Sequence, residues 1–176
     1  MTLPVTRTLA ACLLAAGTAA PALAADLTGH AVDVAWLFPD TSTAFASQSF
    51  AVGGGPELSC AGSGAGGGLC TGFIDAATLD LGANTLSLTI DSGTAAWTGA
   101  AFNGYEFSGL AAGGTWTGYT LSTDFAGLDD SRVTFTPDAV WVNMQGITPA
   151  AGESFTISLT AVPEPGQGAL LFAGVG

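Results

Sequence analysis

Few side chains in this chain can ionise, attack or coordinate, so the search for chemistry is short. His30 is the only histidine. As a general base it needs a nucleophile and an orienting acid beside it, and the surrounding sequence supplies neither, so it reads as a surface imidazole. The best acidic cluster is Asp129-Asp130, with Asp124 upstream. Adjacent carboxylates on an extended chain point to opposite sides, which makes them a poor acid/base couple. Loop carboxylates beside a glycine suit Ca²⁺ better, because it takes hard oxygen ligands in irregular geometry. Asp124, Asp129 and Asp130 are therefore the calcium candidates, although their spacing matches neither an EF-hand nor a glycine-rich calcium repeat. The plainer expectation has Asp130 opening a turn and pairing with Arg132. No other cofactor is expected.

Three cysteines are present, Cys12, Cys60 and Cys70. If Cys12 leaves with an N-terminal leader, the remaining pair in an oxidising compartment predicts a disulfide. The enclosed segment 61–69 is almost entirely small residues. Closing so flexible a loop stabilises by roughly 3 kcal/mol in the chain-entropy model. A metal thiolate pair lacks a third Cys or a nearby His. A phosphate loop lacks both Gly-Lys-Ser/Thr and a following helix. Aromatic rings offer a further chemistry, since their faces stack on sugars. Trp36 and Trp141 lie inside strand patterns and are expected in the core. Trp116 and Tyr119, beside Gly113-Gly114 and Gly118, are expected to be exposed and are the glycan-binding candidates.

The elements that must position these residues alternate with a period of two. Val32, Val34, Trp36 and Phe38 share a face opposite Asp33, and Pro39-Asp40 ends that strand. Further extended pieces cover 44–52, 57–60 and 69–74, the last two flanking the disulfide loop as a prospective hairpin. Then come 76–81 and 85–90, where Leu86, Leu88 and Ile90 alternate with Thr85, Ser87 and Thr89. Segments 94–98, 102–110, 116–123, 132–136, 139–144 and 154–161 follow, separated by glycine and proline turns. Nothing beyond the leader shows a sustained 3.6-residue period. The prediction is an all-β fold of nine to eleven strands, a single antiparallel β-sandwich of jelly-roll type over 25–161.

Both ends differ from this middle. Residues 1–24 read as a secretory signal peptide: Arg7 precedes an apolar run, and Ala22-Leu23-Ala24 is an A-x-A cleavage site defined by Ala22 and Ala24. Leu9-Ala10-Ala11-Cys12 also resembles a lipobox, but most of the apolar run follows the cysteine. With Arg7 removed, Arg132 alone stands against fourteen Asp and Glu, so the mature chain carries 1 − 14 = −13. A chain so acidic builds no basic patch, which excludes nucleic acid and anionic membrane surfaces as partners.

Residues 162–176 open with Val162-Pro163-Glu164-Pro165 and pass into the apolar run Ala169-Leu170-Leu171-Phe172-Ala173. Two prolines make a stiff extended spacer before a segment that favours leaving water. This layout resembles the PEP-CTERM sorting tail of Gram-negative bacteria, in which Val-Pro-Glu-Pro precedes a membrane helix and a basic cluster. Ala101-Phe102-Asn103-Gly104-Tyr105, Asp130-Ser131-Arg132-Val133 and Trp141-Val142-Asn143-Met144 are similar to the body of a recurring set of such proteins. The apolar part would rise only ~12 Å as a helix against a ~30 Å hydrocarbon core, and no Arg or Lys follows. A longer tail beyond Gly176 is therefore expected.

The resemblance implies export by the Sec machinery, reading of the tail by an exosortase, transient contact with the inner membrane, and release to the cell surface or extracellular matrix. It assigns no catalytic residue. The leading expectation is a non-enzymatic surface or matrix component. The alternative is a carbohydrate-binding, lectin-like module for exopolysaccharide, assisted by Ca²⁺.

Overall fold

The computed structural model describes residues 25–161. Ten strands occur: β1 (Ala31–Leu37), β2 (Ala44–Ala51), β3 (Leu58–Cys60), β4 (Ala76–Leu81), β5 (Thr85–Ser92), β6 (Gly104–Ser108), β7 (Trp116–Thr123), β8 (Val133–Phe135), β9 (Ala139–Asn143) and β10 (Ser154–Ala161). Three short 3-10 turns are the only helical pieces among the described residues. The strands form two five-stranded antiparallel sheets, ordered β2-β1-β6-β9-β8 and β3-β4-β5-β10-β7. The expected all-β antiparallel sandwich is therefore the observed one.

The sandwich follows from alternation. Val32 and Val34 of β1, Tyr105 and Phe107 of β6, and Val140 and Val142 of β9 are buried on the inner face of the first sheet. Leu86, Leu88 and Ile90 of β5 face them from the second sheet, with Phe155, Ile157 and Leu159 of β10. Burying each such side chain stabilises by about 1.5–3 kcal/mol, so the threonines and serines between them can remain on the wet face. β10 lies between β5 and β7, and its last residue, Ala161, pairs with Trp116.

Two local expectations fail. Segment 69–74 does not form a hairpin with 57–60. β3 pairs with β4, through Ser59 opposite Thr78, and Gly68–Gly72 is a 3-10 turn. Left-handed backbone at Gly66, Gly67 and Gly68 winds the loop into a compact coil and denies it an extended partner. Segment 94–98 is not a sheet strand either. It docks on the 144–147 loop through Trp97 N–H to Ile147 O at 2.9 Å and Gly146 N–H to Trp97 O at 2.7 Å.

Candidate functional site

Cys60 and Cys70 form the predicted disulfide, with Cα atoms 5.3 Å apart. It ties the end of β3 to the 3-10 turn. The cleavage residues Ala22 and Ala24 and the motif Val162, Pro163, Glu164 and Pro165 lie outside the described residues.

The calcium candidates are not brought together. Asp124 Oδ1 accepts the backbone N–H of Ser154, at the start of β10, at 2.6 Å. Asp129 caps the 3-10 turn Asp130–Arg132, accepting the Ser131 N–H at 2.9 Å and the Ser131 hydroxyl. Those two bonds, the hydroxyl first, hold its carboxyl below the usual range, with a smaller contribution from Arg132. Asp130 is exposed. Among the described residues no three His, Cys, Asp or Glu side chains group as metal ligands. The expected Asp130–Arg132 ion pair does not form. Arg132 Nη1 donates instead to the carbonyls of Gln145 (2.8 Å) and Asn143 (3.3 Å). His30 is exposed just before β1.

The aromatic assignments invert. Trp116 is 1% exposed, and its indole N–H donates to Leu110 O at 2.9 Å. It is core, not a platform. The neighbouring glycines allow close packing: a Cβ on Gly113 would meet Leu27 and the Asp26 carbonyl, and one on Gly114 would meet Ala25. The 25–27 segment lies against them, with Asp26 N–H bonded to Gly113 O at 2.8 Å. Tyr119 is half-buried and packs on Phe135 of the opposite sheet, ring centroids 5.8 Å apart, closing one side of the sandwich. Burial, then the Asp130 charge, raises its phenol pKa. Trp141, expected in the core, stands half-buried between the inward Val140 and Val142, on the outer face of the first sheet. Trp36 is only partly buried, and its indole N–H donates to Asn103 Oδ1 at 2.8 Å.

Hollows open around Trp36 and on the outer face of the first sheet. One of about 120 Å³ lies between Trp36, Phe73, Ile74, Trp97 and Asn103, and one of about 240 Å³ shares Trp36, Ile74 and Asn103 with it and extends to Phe38 and Phe45. Asn103, 3% exposed, is held there by Trp36 and by its own donation to Thr98 O at 2.9 Å. Behind it lie the buried Tyr105 hydroxyl and Trp97 N–H, neither in hydrogen-bond geometry with a partner. Burial drives the Tyr105 pKa far up, and the nearby Trp97 N–H acts in the opposite direction.

A third hollow, about 680 Å³, lies on the outer face of the first sheet. Glu106 of β6, Trp141 of β9 and Thr134 of β8 are successive partners in one row across three strands. Arg132, Asn143 and Gln145 line the same hollow. Burial raises the pKa of the Glu106 carboxyl. Sequence alone hides the exposure of Trp141, because an aromatic inside a strand pattern reads as core, and no local motif marks Glu106. The parity of Val140, Val142 and Met144 was the signal that points Trp141 outward.

Compared with protein-family models, curated proteins and solved structures, the chain has no match. The fold and the hollows define an acidic, disulfide-stapled β-sandwich with a polar groove on one sheet.

Proposed function

We propose that this chain is an exported, non-enzymatic component of the cell surface or extracellular matrix, addressed by the leader at 1–24 and by Val162-Pro163-Glu164-Pro165. The Sec machinery and an exosortase are its partners in transit. The observation that carries the reading is the stapled sandwich lying between two segments of signal composition. A disulfide closing a glycine-rich loop suits an oxidising compartment. β10 ends at Ala161, one residue before Val162, so the motif follows directly on the last strand. The non-enzymatic part rests on the use of the acids: Asp26, Asp40, Glu57, Asp75, Asp124, Asp129, Asp138 and Glu153 each accept a backbone N–H, which is structural work.

The test is production in a Gram-negative host with and without an exosortase, followed by mass spectrometry of the envelope and secreted fractions. The expected product begins at Ala25 and is trimmed at the tail only when the exosortase is present. Glu164→Ala should block the trimming. A product that keeps Met1, or a tail indifferent to both the enzyme and that substitution, overturns the proposal.

A further inference from the structure

Five carboxylates among the described residues are less than fully exposed: Asp40, Glu57, Asp75, Glu106 and Glu153. Four of them accept a backbone N–H. Glu106 accepts none. It projects from the middle of the outer sheet face, partly desolvated, with no hydrogen-bond partner among the described residues. The chain's one cation beyond the leader, Arg132, lines the same hollow and forms no ion pair with it. Both of its bonds use Nη1, and the rest of the guanidinium fork has no hydrogen-bond partner among the described residues. Between them stands Trp141, whose indole N–H also makes no bond within the described residues, although Trp36 and Trp116 both place theirs.

We propose that the outer face of the β2-β1-β6-β9-β8 sheet binds a neutral hexopyranose glycan, with Trp141 as the stacking surface and Glu106 and Arg132 as hydrogen-bonding partners of its hydroxyls. A pyranose ring has a face rich in C–H groups and a rim of hydroxyls that both donate and accept. The indole face complements the first. A carboxylate that accepts and a guanidinium that donates complement the second, each strengthened by charge. Neighbouring strands lie ~5 Å apart, so Glu106 and Thr134 flank Trp141 at about the width of one sugar ring. Asn143 and Gln145 extend the polar rim along the groove.

Charge and polarity select this occupant. An anionic polymer meets a chain at −13 with one arginine and is repelled. An apolar peptide would leave the Thr, Asn, Gln and Glu groups desolvated and unpaired. This site is separate from Trp116 and Tyr119, and it does not depend on how the two ends are processed.

The experiment is calorimetric titration of the purified, disulfide-bonded chain with cellohexaose, laminarihexaose and mannohexaose, and with hexamannuronate as the acidic comparison. At least one neutral hexasaccharide is expected to bind. Trp141→Ala should weaken it at least about tenfold, and Trp141→Phe should recover part of the loss. Glu106→Gln should weaken it several-fold, whereas Phe45→Ser, at an exposed ring outside this groove, should not change it. Circular dichroism of each variant checks the fold, and Glu106→Gln carries the test if Trp141→Ala does not fold. Absence of binding to all three neutral sugars overturns the proposal. So does unchanged affinity in Trp141→Ala and Glu106→Gln, or tighter binding of the acidic oligomer.

Discussion

Glu57 bridges two elements with one side chain. Its Oε1 accepts the Gly53 N–H at 2.8 Å and its Oε2 the Leu81 N–H at 2.6 Å, tying the loop before β3 to the end of β4. Hydrogen bonds to charged groups are the stronger kind, so Glu57→Ala should destabilise by about 1–3 kcal/mol in urea unfolding. The tryptophans permit a sharper contrast. Trp116→Ala removes a buried ring together with its bond to Leu110, and should destabilise by about 3–5 kcal/mol. Trp141→Ala takes a ring from the solvent face and should shift the urea midpoint far less. Equal losses would show that Trp141 is buried as deeply as Trp116. At this scale the sequence was partly legible. The inward Val140, Val142 and Met144 fix Trp141 outside by alternation, but ring size suggested core. The glycines beside Trp116 suggested exposure, and only the return of residues 25–27 against them explains its burial.

Among the elements, the strongly alternating strands were readable from their own residues: β5 and β10 carry Leu-x-Leu-x-Ile and Phe-x-Ile-x-Leu on one face, with Thr and Ser on the other. The disulfide loop was readable only as a loop. A pair of apolar flanks suggested a hairpin, and nothing local showed that β3 pairs with β4, a partner beyond the loop. The groove was less legible still, because Glu106, Trp141 and Thr134 come from three strands whose order appears only once the sheet assembles. The staple is a testable element in its own right. Reduction of Cys60–Cys70 frees a nearly side-chain-less loop and should lower stability by roughly 3 kcal/mol. Thermal melts with and without dithiothreitol measure this. Because β3 is the edge strand of its sheet, proteolysis after reduction should begin within 61–68 and leave β5 and β10 protected.

The whole molecule carries many like charges and almost no counter-charge, and this sets how its stability responds to salt and pH. At neutral pH the acids repel one another, and they are held mainly by backbone N–H groups. Raising ionic strength screens the repulsion beyond a Debye length of about 10 Å at 0.1 M, so the melting temperature at pH 7 should rise with NaCl. A protein held by surface ion pairs would show the opposite trend. Acid acts in two directions. Asp26, Asp40 and Asp129 have folded pKa values lowered by hydrogen bonds from Thr28, Ser42 and Ser131. Their contribution is complete above the unfolded value of about 3.9 and is lost as pH falls through the lower folded values. Glu106 has a raised folded pKa, so it opposes folding at neutral pH, and that penalty disappears as it protonates. Tyr105 governs the alkaline side. Its raised pKa makes a contribution that is complete below the unfolded value of about 10 and is lost as pH rises beyond it. Calorimetric melts should therefore show a plateau through mid-pH, a fall below about pH 4 and a second fall above about pH 10. In Tyr105→Phe the alkaline fall should flatten and the acid one should remain. An unchanged alkaline fall in that variant would show that another group controls it.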